Sequence, residues 1–212
     1  MFEDTLKRKE DKEIIMGRPK TYDREEIAAK AMELFWLHGF NGTSTQALVE
    51  HMQINRYSLY AEFGSKQRLY EVALARYERD IVGHYFGALE TAGAGLQEIR
   101  EVIGFFAASA RQPGSERGCL LCNSATERAP HDPTSRGFVE AYVNRIAKAF
   151  RQALDNAAGK GQLRPGVVTE DEGLFFASAM FGFFVLLRSQ VDPSILRGAA
   201  RGAIEHLERL QS

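Results

Sequence analysis

The sequence predicts an all-α protein: an N-terminal three-helix helix-turn-helix unit followed by a larger helical body. Three observations carry this. Apolar residues recur at helical spacing from Ile27 to Leu210. Glycines, prolines and capping residues punctuate the ends of these stretches. No stretch alternates apolar and polar residues with period two, so no strand is expected. The expected organisation is an arm over 1–20, a helix-turn-helix domain over 21–81 that includes the start of a linking helix, and a larger helical domain over 82–212.

Residues 1–15 mix both charge signs and read as a solvated tail or an extra helical turn. Met16 offers an alternative natural start. Gly17-Arg18-Pro19 follows, with Lys20 behind it. This tripeptide resembles an AT-hook, in which an extended arginine enters an A·T-rich minor groove; a plain linker is the alternative. Asp23 with Glu26 makes a capping-box pattern for the first helix. Ile27, Ala31, Leu34 and Phe35 form its apolar stripe, and Gly39 stops it.

Thr43, Ser44 and Thr45 can cap a short second helix, whose apolar side is Leu48, Val49 and Met52. Gln53-Ile54-Asn55 makes the turn, and Asn55 caps a third helix over about 56–63. Leu59 and Phe63 share its buried face. Arg56, Tyr57, Tyr60 and Ala61 lie opposite, a face suited to a DNA major groove: arginine forks onto guanine edges, and tyrosine hydroxyls reach phosphates or bases. Gly64 ends that helix and Ser65 caps the next, with Lys66 in its first turn. A lysine opposing a helix dipole makes sense if a backbone phosphate docks there.

The pattern then runs as one helix from Ser65 to about Ala92, and a second over about 96–111 with Ile99, Val102, Ile103, Phe105 and Phe106. A short helix starts at Gly118-Cys119 and ends near Ala129-Pro130. Asp132-Pro133 opens a long one to about Ala158. Thr169 with Glu172 forms another capping box, for a helix over about 170–190 that is nearly apolar all round after its first turn. Asp192-Pro193 starts the last helix. Two adjacent helices this apolar predict a four-helix dimer interface, two from each subunit.

The stretch from Ile27 to Leu69 resembles the DNA-binding domain of the TetR family of transcriptional repressors. The residues that carry the resemblance are Ile27, Ala31, Leu34, Phe35, Gly39-Phe40, Gly42-Thr43-Ser44, Leu59-Tyr60, Phe63, Lys66 and Leu69. The resemblance implies a homodimeric repressor that binds double-stranded operator DNA and releases it when a small-molecule inducer binds. On this reading Arg18, Lys20, Thr43, Ser44, Thr45, Gln46, Asn55, Arg56, Tyr57, Ser58, Tyr60 and Lys66 form the DNA-binding set. Arg56 and Tyr57 meet base edges, while Thr43, Tyr60 and Lys66 hold phosphates. Two residues depart from the family pattern. Gln53 stands where glycine is usual, and Glu62 stands where histidine or an aromatic is usual.

The family also implies a cavity among the C-terminal helices. Candidate ligand residues are Phe105, Phe106, Cys119, Asn123, Tyr142 and Phe176, with Ser124 and Thr126 as further polar groups. Cys119 lies at a helix start near Arg117, which favours a reactive thiolate; some members of the family sense electrophiles through a cysteine in such a segment, so the resemblance offers a thiol-based redox or electrophile-sensing repressor using Cys119, with two buried core cysteines as the alternative. Cys119 and Cys122 lack the two further ligands of a zinc site and the βαβ setting of a redox motif. A thiol-dependent enzyme built on Cys119 is the competing class, and it predicts turnover lost in Cys119→Ser. No phosphate loop, metal-binding histidine pair or Ser-His-Asp set stands out, so no enzyme, cofactor or metal is expected.

Composition sets outer bounds. The chain has 212 residues, 44% hydrophobic and 26% charged, which is ordinary for a globular protein. A net charge of −1 means that DNA affinity must come from local placement. Two cysteines make no disulfide framework, no apolar run has the length of a membrane span, and no secretory signal core is present, so a cytoplasmic location is the plain reading.

Overall fold

The structure is a computed structural model that describes residues 22–212. The arm, with Arg18 and Lys20, lies outside the described residues. What is described is helical, apart from one isolated antiparallel bridge between Leu163 and Gln211.

Helix α1 (Arg24–Gly42) starts on Asp23, whose carboxylate accepts the Glu25 N–H at 2.9 Å; Glu26 takes no part in the cap and instead pairs with Lys30. Helix α1 breaks at Gly39, where φ is 73° and ψ 176°, and then makes one more turn. Helix α2 (Thr45–Met52) is capped by Ser44, which accepts the Ala47 N–H. Helix α3 (Arg56–Phe63) is capped by Asn55, which accepts the Ser58 N–H at 2.7 Å. Between them Gln53 is left-handed at φ 57°, so the turn keeps the conformation that glycine favours. A Cβ held there costs roughly 1–2 kcal/mol. Gln53→Gly should therefore raise the urea midpoint, by an amount worth about 1 kcal/mol after glycine's entropy is set against the relieved strain. A lowered midpoint would show that the glutamine side chain stabilises the turn by other means.

Helix α4 (Lys66–Tyr77) runs into a wide π turn over Glu78–Val82 and on into α5 (Gly83–Phe86), where regular helix ends short of the expected Ala92. Arg145 donates to the Glu78 carbonyl and, through two nitrogens, to the Glu90 carboxylate, holding this widened segment. The body continues through α6 (Leu96–Ser109), a 3-10 turn over Ser115–Arg117, α7 (Leu120–Glu127), α8 (Pro133–Gly159), α9 (Thr169–Arg188) and α10 (Pro193–Arg209). The expected capping box at α9 does not form. Val168 is the N-cap, Thr169 bonds to Asp155, and Glu172 meets His206 of α10 at 2.6 Å.

The core of the body is aromatic. Phe150 stacks on Phe176, Phe106 meets Phe184 edge-on at 4.8 Å, and Phe86 lies against both Phe106 and Phe150. Helix α9 is not buried all round. Its outer face leaves Leu174 47% and Val185 50% exposed, with Ser178 and Gly182 between them, and Ile195 on α10 is 51% exposed.

Candidate nucleic-acid interface

Helix α3 presents the side chains expected of a reading helix. Leu59 and Phe63 are buried against the unit's core, while Tyr57 is 82% exposed and Tyr60 43% exposed, with Arg56 exposed beside them. Gln46 on α2 is exposed and donates to Glu50 at 2.6 Å. Thr45 and Ser58 are half-buried at the helix starts, and Ser44 and Asn55 spend their side chains on caps while remaining exposed.

Two residues behave differently from expectation, and Glu62 turns away from the outer face of α3. Thr43 is buried, and its hydroxyl donates to the Gly39 carbonyl at 2.6 Å, so its side chain splices α1 to α2 and is turned away from any phosphate. Lys66 donates to the Phe40 carbonyl at 2.6 Å with its ammonium 4.1 Å from the Phe40 ring centre. Burial holds its pKa below the ordinary lysine value, Glu127 opposes this, and Arg128 adds to it. Its charge thus serves the end of α1. Glu62 turns toward α1, where it pairs with Arg24 at 3.0 Å, and leaves the reading face to Arg56 and the tyrosines.

Helix α7 ties this unit to the body at both ends. At its start, the Trp36 indole N–H donates to the Gly118 carbonyl at 3.0 Å. At its end, the Glu127 carboxylate accepts the backbone N–H of Phe40 at 3.0 Å and of Asn41 at 2.7 Å. Those amides are the orphan donors of the turn that restarts after Gly39, so Glu127 caps it from 87 residues away. A Cβ on Gly39 would lie 2.6 Å from that carboxylate. Arg188 adds a third tie, donating to the Leu37 carbonyl at 2.9 Å. The sequence predicts a helix end at Gly39, where the helix instead kinks and makes one more turn, and the partner in Glu127 carries no local signature.

A cavity of about 420 Å³ opens behind Trp36. Phe105 and Phe106 line it as expected, joined by Tyr77, Tyr85, Arg117 and Phe184. The other candidates face elsewhere. Phe176 is core, Asn123 donates to the Arg117 carbonyl and braces the loop, and Cys119 and Tyr142 are buried together beside α7. Arg117 does not act on Cys119; its guanidinium lies 5.6 Å from the Trp36 ring centre. The Cys119 thiol instead meets Cys122, Tyr77 and Tyr142. Burial pushes its pKa up, but hydrogen bonds from Cys122 (side chain and backbone) and from the two tyrosine hydroxyls outweigh this and bring it to about 7.

A helix-turn-helix unit with an exposed reading face, carried on a helical body, defines a DNA-binding transcriptional regulator. Residues 27–73 match the family described as bacterial regulatory proteins, tetR family, and residues 95–203 match the tetracyclin repressor-like C-terminal domain. The chain belongs to the TetR family. It is 32% identical over 148 residues to the HTH-type transcriptional regulator YezE of Bacillus subtilis, covering 70% of this chain and 76% of that one. It is 28% identical to the HTH-type transcriptional repressor ComR of Escherichia coli, covering 70% and 71%. Among solved structures it resembles a cysteine mutant of the TetR family regulator CifR in complex with a 26-bp double-strand operator DNA, with 29% identity, a TM-score of 0.78 and coverage of 89% and 98%. Members of this family are transcriptional regulators and not enzymes, as expected for this chain. Among the described residues no helix is long and apolar enough to cross a membrane.

Proposed function

We propose that the protein is a homodimeric repressor that reads a palindromic operator with α3 and lets go when a small molecule occupies the cavity behind Trp36. The observation that carries this is the pair of ties made by α7. Gly118, at the cavity wall, lies two residues ahead of α7, and Glu127, at the kink of α1, is its last residue. A displaced α7 moves both ends at once. Arg56 and Tyr57 lie in the first turn of α3, the part of a recognition helix that meets base edges, and Tyr60 flanks the groove. Ser44, Thr45, Gln46, Asn55 and Ser58 border that face, and Arg18 and Lys20 belong to a minor-groove arm. Thr43 and Lys66 act as structural supports. An electrophoretic or anisotropy titration with promoter DNA from the protein's own locus tests the reading; no sequence preference over random duplex would sink it.

The dimer is supported by the exposed strip on α9 and α10. Phe184 on α9 and Leu207 on α10 are 5% and 0% exposed and belong to the subunit core. The informative changes are Leu174→Glu with Val185→Glu, which charge only the outer face. Sedimentation should then report the mass of one chain with helicity unchanged. An unaltered dimer mass would move the interface elsewhere.

A second reading is favoured by the thiol cluster: Cys119 as the site where an electrophile switches the repressor. The thiolate would add to a quinone or enal, forming a carbon–sulfur bond while the carbonyl side takes up a proton. Tyr77 both meets the thiol and lines the cavity, so the buried thiol lies one side chain behind the cavity wall. Alkylation of Cys119 should rise with pH through a midpoint of about 7, below the usual thiol near 8.5. Equal operator release by a quinone in wild type and Cys119→Ser would leave the cysteine structural.

A further inference from the structure

The inducer reading leaves open what the cavity accepts, and the chemistry of its wall narrows this. Among its lining residues Arg117 alone carries a charge. Arg117 has no carboxylate partner among the described residues, and its Nε is buried without a hydrogen-bond partner. An unmet buried donor on a charged group is costly, and such groups are normally paired. Around it stand flat aromatic faces. Trp36 meets Tyr77 edge-on at 4.9 Å, and Tyr85 lies 5.2 Å from Phe105 and 5.5 Å from Phe106. Ser109 and Gln112 supply neutral polar groups on the same wall.

Resting on the reading of this cavity as the inducer site, we propose that its ligand is a small aromatic carboxylate. The carboxylate takes Arg117 through the side-on fork of Nε and a terminal nitrogen, the geometry in which guanidinium binds carboxylates in pairs of hydrogen bonds. The ring lies among Trp36, Tyr85, Phe105 and Phe106, where planar apolar surface is buried. A volume of about 420 Å³ admits one or two fused rings and falls within the range of small-molecule sites. A neutral analogue leaves the arginine charge unanswered, and a cation meets it with repulsion. The same occupant touches Trp36, whose indole N–H is the tie from α1 to Gly118, so binding and the position of the DNA-reading unit are mechanically joined.

Calorimetric titration of the full-length dimer with 2-naphthoate, 2-naphthamide and decanoate separates charge from ring. The expected result is saturable binding of 2-naphthoate, with 2-naphthamide and decanoate each at least tenfold weaker. Arg117→Gln should weaken 2-naphthoate at least tenfold and bring it level with the amide. The comparison of acid and amide on the wild-type protein stands even if the variant folds poorly. Equal binding of acid and amide, tighter binding of decanoate than of naphthoate, or no binding of naphthoate at millimolar concentration overturns the proposal. Operator release is measured in parallel. Arg117-dependent binding of the acid without release upholds the ligand class and defeats the inducer reading. Failure of the acid on a protein that still binds its operator defeats the ligand class alone.

Discussion

Arg56→Ala is expected to lower affinity for the cognate operator by roughly 1–3 kcal/mol in each half-site and to relax preference at one base position there. A two-fold site counts the change twice, so the total loss is about thirtyfold or more. Tyr57, the most exposed of the large apolar or aromatic side chains on this face, should behave similarly at a neighbouring position. The physical reason is the division of labour on a duplex: base edges specify, phosphates position. Lys66→Ala tests the other half of that division. Its ammonium is committed to the Phe40 carbonyl and ring, so the slope of affinity against salt should stay as in wild type while stability falls. A slope flatter by about one counterion per subunit would return Lys66 to the phosphate contacts.

The second large effect lies at the joint between the two units. Glu127→Ala removes the acceptor of two backbone N–H groups and should cost roughly 2–3 kcal/mol of stability, as charge-assisted hydrogen bonds do. Gly39→Ala should cost about as much by a different route. Its φ of 73° with ψ of 176° is a conformation nearly exclusive to glycine, worth roughly 1–3 kcal/mol of strain for any other residue. Its new methyl would also meet the Glu127 carboxylate. Because the methyl displaces the very group that the other variant deletes, the double variant should lose less than the sum of the two. Urea unfolding of the four proteins reads this directly. Additive losses would mean that Gly39 and Glu127 do not act as one joint.

The fold was legible wherever local chemistry decides it. Asp23, Ser44, Asn55 and Asp132 each accept a hydrogen bond from their helix's first turn, as their types and positions predict. The capping box at Thr169 failed because Asp155 and His206, distant in sequence, offered its two members other partners. The apolar run of α9 gave its burial only in part, since one subunit leaves Leu174 and Val185 open. The outer face of α3 was legible in part: Leu59 and Phe63, four apart, fix its buried side, and Arg56, Tyr57 and Tyr60 are left exposed. The supports were not. Thr43 and Lys66 have the chemistry of phosphate ligands, and only the packing of Phe40 and Gly39 reveals that they serve the protein itself. The cavity was half legible: Phe105 and Phe106 line it, but Trp36 and Arg117 arrive from elements far apart in sequence.

The central claim is that α3 reads operator bases from a dimer. Fluorescence anisotropy of the wild-type protein and an Arg56→Ala, Tyr57→Ala variant, on the cognate duplex and a scrambled one at two salt concentrations, tests it most directly. The wild type should prefer the cognate duplex by three orders of magnitude or so, as specific regulators do. The variant should bind both duplexes alike, at the wild type's affinity for scrambled DNA and with a similar salt slope. A variant that kept the wild-type preference would contradict the assignment of α3 as the reading helix.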